Sequence, residues 1–176
     1  LSPISLDPAR PFPRILNKSL NFIIGLEGIH AFGRPCDRAI VQAPRSLPRL
    51  IRLSPDLPGT GDSDFVFLSS IIHAFVDEVF TGMEVQGCFQ FRVTRNSDLY
   101  VQEEEVDNLM RAIEGELASN RYGAAVRLEI AHDCPADLTD FLLNVFDIAP
   151  EDVYAVEGPV NLNRLLAVYD MTDRED

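Results

Sequence analysis

Apolar residues recur along this chain in two rhythms, and the switches between them separate strands from helices. From Leu20 to Leu26 the run LNFIIGL is short, continuous and rich in β-formers, which predicts a buried strand. Ala39-Ile40-Val41 and Leu50-Ile51 read as two more short strands, kept apart by Pro44 and Pro48. Leu68, Ile71, Ile72, Phe75, Val76 and Val79 then fall at helical spacing and predict one amphipathic helix ended by Gly82. Phe89, Phe91 and Val93 alternate with Gln90, Arg92 and Thr94, the period of a strand with one buried face. Val106, Leu109, Met110, Ile113 and Leu117 form a second helical stripe, with Glu103 to Glu105 in its first turn, where negative charge suits the helix dipole. Val126, Leu128 and Ile130 alternate with Arg127 and Glu129 as another strand, so Arg92 and Glu129 are expected to pair across strands. Leu138, Phe141, Leu142 and Val145 make a third helix, with Pro135 near its start and Asp137 as its N-terminal residue. Val153 to Val156 is a short strand, and Leu162, Leu165, Leu166 and Tyr169 make the last helix.

That order, with polar alternation on the later strands, predicts an α+β fold: a mixed, largely antiparallel sheet with about four helices packed on one side. Pro3, Pro8, Pro11 and Pro13 remove backbone donors, so residues 1–18 read as an extended Pro-rich arm or a docking strand. Residues 19–170 then form the body and 171–176 the beginning of a linker. A length of 176 residues suits one such body, and the start at Leu1 with the acidic end Asp173-Arg174-Glu175-Asp176 is expected of an excised domain.

Charge adds a constraint. Residues 1–54 hold eight basic groups against three acidic ones, whereas residues 55–176 hold seven arginines against twenty-five acids. A chain with net charge −13 repels polyanions at long range, which excludes a general nucleic-acid or polyphosphate binder and makes any anion site local. The best place for one is the run Arg34, Arg38, Arg45, Arg49 and Arg52, since the guanidinium fork suits phosphate or carboxylate. Arg95, leaving a strand beside Asn96, serves either a turn or an interface. Against the anion reading stands the simpler one, in which these arginines pair with the acidic remainder of the domain or with a partner chain.

Other chemistry is sparse. Gly59-Thr60-Gly61 is followed by Asp62 and Asp64 rather than by lysine, so it is not a phosphate-binding loop; the single lysine is Lys18. His132, Asp133 and Cys134 share one turn, but no second pair has metal-ligand spacing, and a strand-to-helix turn with a buried thiol explains them. His30, His73 and His132 are scattered and read as structural. Glu103 to Glu105 mark a helix start, and Glu114 and Glu116 a solvated face. No catalytic, metal or cofactor-binding residue is assigned. Cys36, Cys88 and Cys134 are odd in number and widely spaced, which predicts reduced thiols in the cytoplasm, and no apolar run reaches a membrane span.

Several segments together resemble a known family. LDPARPFPRILNKSLNF at Leu6–Phe22, VQAPRSLPRLIRL at Val41–Leu53, and the stretches Phe91–Leu99, Val126–Ile130 and Val153–Leu162 are similar, in order, to the middle or head domain of the histidine-dependent polyphosphate kinases. The resemblance implies a parent enzyme that reversibly transfers the terminal phosphate of ATP to polyphosphate, using ATP and Mg²⁺. It places the phosphorylated histidine, its arginines and the magnesium site in two C-terminal domains resembling phospholipase D, and a helical nucleotide-holding domain before this one. No catalytic residue of the family carries onto this chain. What it implies here is a scaffold between the N-terminal and catalytic domains that contributes to a homodimer, cytoplasmic or with a membrane-associated parent, and inactive alone. Two other readings compete: a free-standing acidic interaction or regulatory module with a basic protein partner, and a small hydrolase or transferase built on carboxylates and the arginine run.

Overall fold

The computed structural model describes residues 3–7, 11–29, 36–61, 64–96 and 123–171. A six-stranded sheet is its frame, assembled from β1 (Pro3–Ser5), β2 (Asn21–Glu27), β3 (Arg38–Gln42), β6 (Glu84–Arg95), β7 (Ala125–Ala131) and β8 (Val153–Val156) in the order β1-β3-β2-β6-β7-β8. Every neighbouring pair is antiparallel except β7 with β8. A separate ribbon joins β4 (Leu50–Arg52) to β5 (Phe65–Phe67). The Leu50-Ile51 strand is thus real but lies outside the main sheet. The fold is α+β, as the two rhythms predict.

The helices do not lie on one side. Packed on one face are α1 (Leu68–Ala74) and α2 (Val76–Val79), whose Leu68, Ile72 and Val76 meet Phe22, Ile24, Ala39 and Val41. On the other is α3 (Ala136–Phe146), whose Leu138, Leu142 and Phe146 meet Ile23, Ile40, Phe91, Val93, Leu128 and Ile130. The reason lies in the central strands. β2 and β3 are apolar at both parities, so leaving either face wet would expose Ile or Phe side chains at a cost of roughly 1.5–3 kcal/mol each. Polar alternation belongs to β6 and β7, further along the sheet.

A bulge adjusts the parity within β6. Gly25 pairs with Gly87, but Leu26 pairs with Val85, so Gln86 is the extra residue. Its insertion turns Val85 onto the α1–α2 face beside Leu26, while Phe89 and Phe91 keep to the α3 face.

The first predicted helix is also divided. Phe75 leaves helical geometry at φ −121° and is 54 % exposed, against the expectation that it belongs to the buried stripe. The buried apolar residues are Leu68, Ile72, Val76 and Phe80, each four apart. On an unbroken helix that spacing drifts by about 40° per step, and the break at Phe75 keeps all four on the sheet.

Residues 11–20 are part of the body. Ile15 is fully buried against the α3 side of the sheet, and Lys18 N–H donates to Val93 O at 2.9 Å, so the arm is docked. At the other end the last stripe starts as a 3-10 turn, Leu162–Leu165, and continues as α4 (Leu166–Met171). Its Leu162, Leu166 and Tyr169 are solvent-facing rather than in the core. The stripe expected over Val106–Leu117, the acids Glu103 to Glu105, and the Arg34 position lie outside the described residues.

Candidate functional site

β6 and β7 bring together a polar cluster across their register. The register sets Arg92 opposite Glu129, and Nη1 donates to Oε2 at 2.9 Å. Both side chains are largely buried, at 14 % and 13 % exposure, so the charges screen each other rather than water. Arg127 reaches the other oxygen, Oε1, at 3.0 Å from its Nη2. Its guanidinium lies 3.9 Å from the centroid of the Tyr154 ring, on the strand that pairs with β7. Tyr154 is the member that reading single strands does not reveal. It pairs with Glu129 through the parallel β7–β8 register, a partner known only once the strand order is known.

The arginine run spreads over three places. Arg38 opens β3, 3.7 Å from Asp37 Oδ2, 3.8 Å from Asp137 Oδ2 and 4.9 Å from the Phe141 ring centroid. Arg45 donates from Nη2 to Asn17 O at 2.7 Å. Arg49 lines a cavity of about 20 Å³ with Ser69 and Asn161, and Arg52 ends β4 opposite Phe65. Arg95 donates its backbone N–H to Asn17 Oδ1 at 2.9 Å and its Nη1 to Gly123 O at 3.2 Å, with its guanidinium 5.6 Å from the Phe146 ring. Arg45 and Arg95 therefore meet at Asn17, a hub that composition does not reveal, whereas Arg38 and Arg49 border different cavities.

The two described histidines are exposed at their surfaces, whereas the thiols Cys88 and Cys134 are half-buried. His73 stands edge-to-face with Phe22 at 5.5 Å, and its Nε2 lies 3.5 Å from Gln90 Nε2. Gln90 uses its Oε1 to accept from Val160 N–H at 3.3 Å, so its amide donates to a neutral ring. Burial holds the His73 pKa below its ordinary value, with the Asp133 carboxylate opposing. Burial also pushes the Cys88 thiol up to about 12, helped by Asp77. It pushes Cys134 up to about 11, with the hydrogen bond from Thr139 opposing and the carboxylates of Asp133 and Asp137 adding. His132 and Cys134 serve the turn after β7: His132 N–H donates to Val156 O at 3.1 Å and Cys134 N–H to Ala131 O at 3.0 Å. His30 lies outside the described residues. Among the described residues no group of three or more His, Cys, Asp or Glu could hold a metal ion, and no helix is long and apolar enough to cross a membrane.

Residues 1–168 match the family model of the polyphosphate kinase middle domain. The chain belongs to the polyphosphate kinase family. It is 56 % identical over 168 residues to the polyphosphate kinase of Pseudomonas aeruginosa, covering 96 % of this chain and 24 % of that protein. It is 58 % identical over 176 residues to the polyphosphate kinase of Neisseria meningitidis serogroup C, covering all of this chain and 26 % of that one. The chain thus spans about a quarter of the length of these relatives. The crystal structure of polyphosphate kinase from Porphyromonas gingivalis shares its fold, with a TM-score of 0.66 at 21 % identity, over 94 % of this chain and 22 % of that one. A middle domain is what the ordered segments from Leu6 to Leu162 resemble.

Proposed function

We propose that this chain is the scaffold of a longer polyphosphate kinase and takes no part in the chemistry itself. In this reading the whole enzyme moves the terminal phosphate of ATP reversibly onto polyphosphate, with ATP and Mg²⁺ held by domains outside these residues. The chain holds the N-terminal and catalytic domains in place and contributes surface to a homodimer in the cytoplasm. The family membership supports the parent activity.

The observation that carries the scaffold role is where the polar side chains go. Several arginines are engaged within the domain: Arg45 and Arg95 onto Asn17 and Gly123, Arg38 onto Asp37, Asp137 and Phe141, Arg92 and Arg127 onto Glu129. Groups used this way stiffen a domain, and a stiff body is what a connector between moving or catalytic parts requires. The test is a coupled assay of the purified chain with ATP, Mg²⁺ and polyphosphate. ADP formation at the buffer blank is expected; steady turnover that is lost in Arg49→Ala or Arg52→Ala would overturn the reading. Light scattering on the full-length enzyme checks the dimer, which is expected to contain two chains.

A further inference from the structure

A cavity of about 330 Å³ lies between the segment after β1, the start of β3 and the outer side of α3. That volume is at the lower end of what small-molecule pockets offer. Its floor is apolar, formed by Leu6, Phe12, Phe141 and Val145. Phe12 and Phe141 stand 6.0 Å apart with their planes at 59°, so the two rings touch and together form one continuous apolar wall. Its mouth holds Asp37 and Arg38.

The sign of the mouth decides the ligand. Arg38 already faces two carboxylates, Asp37 at 3.7 Å and Asp137 at 3.8 Å, and its guanidinium rests on the Phe141 ring. Among the described residues one cation stands with the acids Asp7, Asp37 and Asp137, a negative surplus, and Asp37 is 78 % exposed, so its oxygens are open to a newcomer. An anion entering here would meet that surplus, within a chain whose net charge is −13. A cation would gain a carboxylate beside an apolar wall.

We propose that this cavity binds an aryl- or alkylammonium group, its apolar body against the wall of Leu6, Phe12, Phe141 and Val145 and its ammonium at Asp37. The group has two sources: a free organic amine, or an amino group of neighbouring polypeptide in the whole enzyme. The site is independent of the scaffold role and is not a phosphate site.

The probe is 3-fluorotyramine, read by ¹⁹F line width and by amide shifts of the ¹⁵N-labelled 176-residue chain. Shifts are expected at Leu6, Phe12, Phe141 and Val145, with a Kd of about 1 mM, which is within reach of roughly ten heavy atoms. The isosteric carboxylate, 3-(3-fluoro-4-hydroxyphenyl)propionate, is expected to bind about tenfold more weakly. Asp37→Asn is expected to weaken the amine about fivefold, and Asp152→Asn, remote from the mouth, to leave it unchanged. Titrating the full-length enzyme then separates the sources: binding retained marks a site open to free amines, and binding lost marks one filled by the enzyme's own polypeptide. Absence of shifts at those four amides in the chain up to about 20 mM probe, equal binding of the carboxylate, or indifference to Asp37→Asn would each overturn the assignment.

Discussion

Arg92 and Glu129 are direct partners across β6 and β7, joined at 2.9 Å with both side chains nearly out of water. Glu129 also takes Arg127 at 3.0 Å, so one carboxylate serves two guanidinium groups of very different exposure, 14 % for Arg92 and 44 % for Arg127. Glu129→Ala is expected to cost about 2–4 kcal/mol, because Arg92 would remain buried without its counter-charge. Arg127→Ala is expected to cost about 1 kcal/mol or less, since an exposed pair and a stacked ring are all it gives up. Urea unfolding of both variants and the double variant checks the ordering; equal losses would mean that Arg92 draws its stability from elsewhere.

Ile15 tests whether the proline-rich segment belongs to the body. It is fully buried in the cluster under α3. Ile15→Ala is expected to cost about 2–5 kcal/mol, with the midpoint falling and the urea m-value unchanged. A loss below about 1 kcal/mol would favour the reading of residues 1–18 as an arm.

How much of this was legible in the sequence depends on which contacts are local. The Arg92–Glu129 pair was readable, because two alternating strands with one buried face fix which residues point outward. The two-sided packing was readable in principle from Phe22-Ile23-Ile24, whose continuity admits no wet face. The later alternating strands pulled the inference the other way. The break at Phe75, the bulge at Gln86 and the ribbon of β4 with β5 were not readable, since each answers to the surface it packs on and not to its own residues. The arginine run shows the same limit. Spacing placed Arg38, Arg45, Arg49 and Arg52 close together in the chain, but only the fold sends Arg38 to α3 and Arg45 to Asn17.

The thiols should be slow to react. Cys88 and Cys134 are pushed up to about 12 and about 11, chiefly by burial, so the thiolate is a minute fraction at neutral pH. Treatment with a thiol-reactive dye at pH 8 is expected to label neither within minutes, and both once guanidinium unfolds the chain. Because the folded pKa values lie above the unfolded ones, the stabilisation is complete below about pH 8.5 and fades as pH rises towards 11. Rapid labelling of Cys88 in the native state would contradict the packing around it.

His73 predicts the opposite limb. Its folded pKa lies below the ordinary value, so the folded state prefers the neutral ring that accepts from Gln90. Stability is therefore complete above pH 6.5 and falls as pH drops through the folded value, a small effect because His73 is largely exposed. His73→Gln is expected to flatten that part of the curve, measured as unfolding free energy from pH 7.5 to 5. An unchanged slope would place the acid sensitivity in the carboxylates instead.

Asp147 ends α3 in the left-handed region at φ 53°, with its N–H and that of Ile148 both directed to Leu143 O, the latter at 3.1 Å. A Cβ is disfavoured in that conformation, and glycine adopts it without strain. Asp147 also sets a negative charge at the negative end of the helix dipole, which costs a further few tenths of a kcal/mol. Asp147→Gly removes both penalties while retaining the backbone bonds, against a greater loss of unfolded-state entropy. The balance favours the variant by about 0.5–1 kcal/mol, read as a rise in Tm of a few degrees for a domain of this size. Asp147→Asn separates the two contributions, since it removes the charge but keeps the Cβ. Destabilisation by the glycine variant would mean that the Asp147 side chain contributes a contact stronger than the strain it imposes.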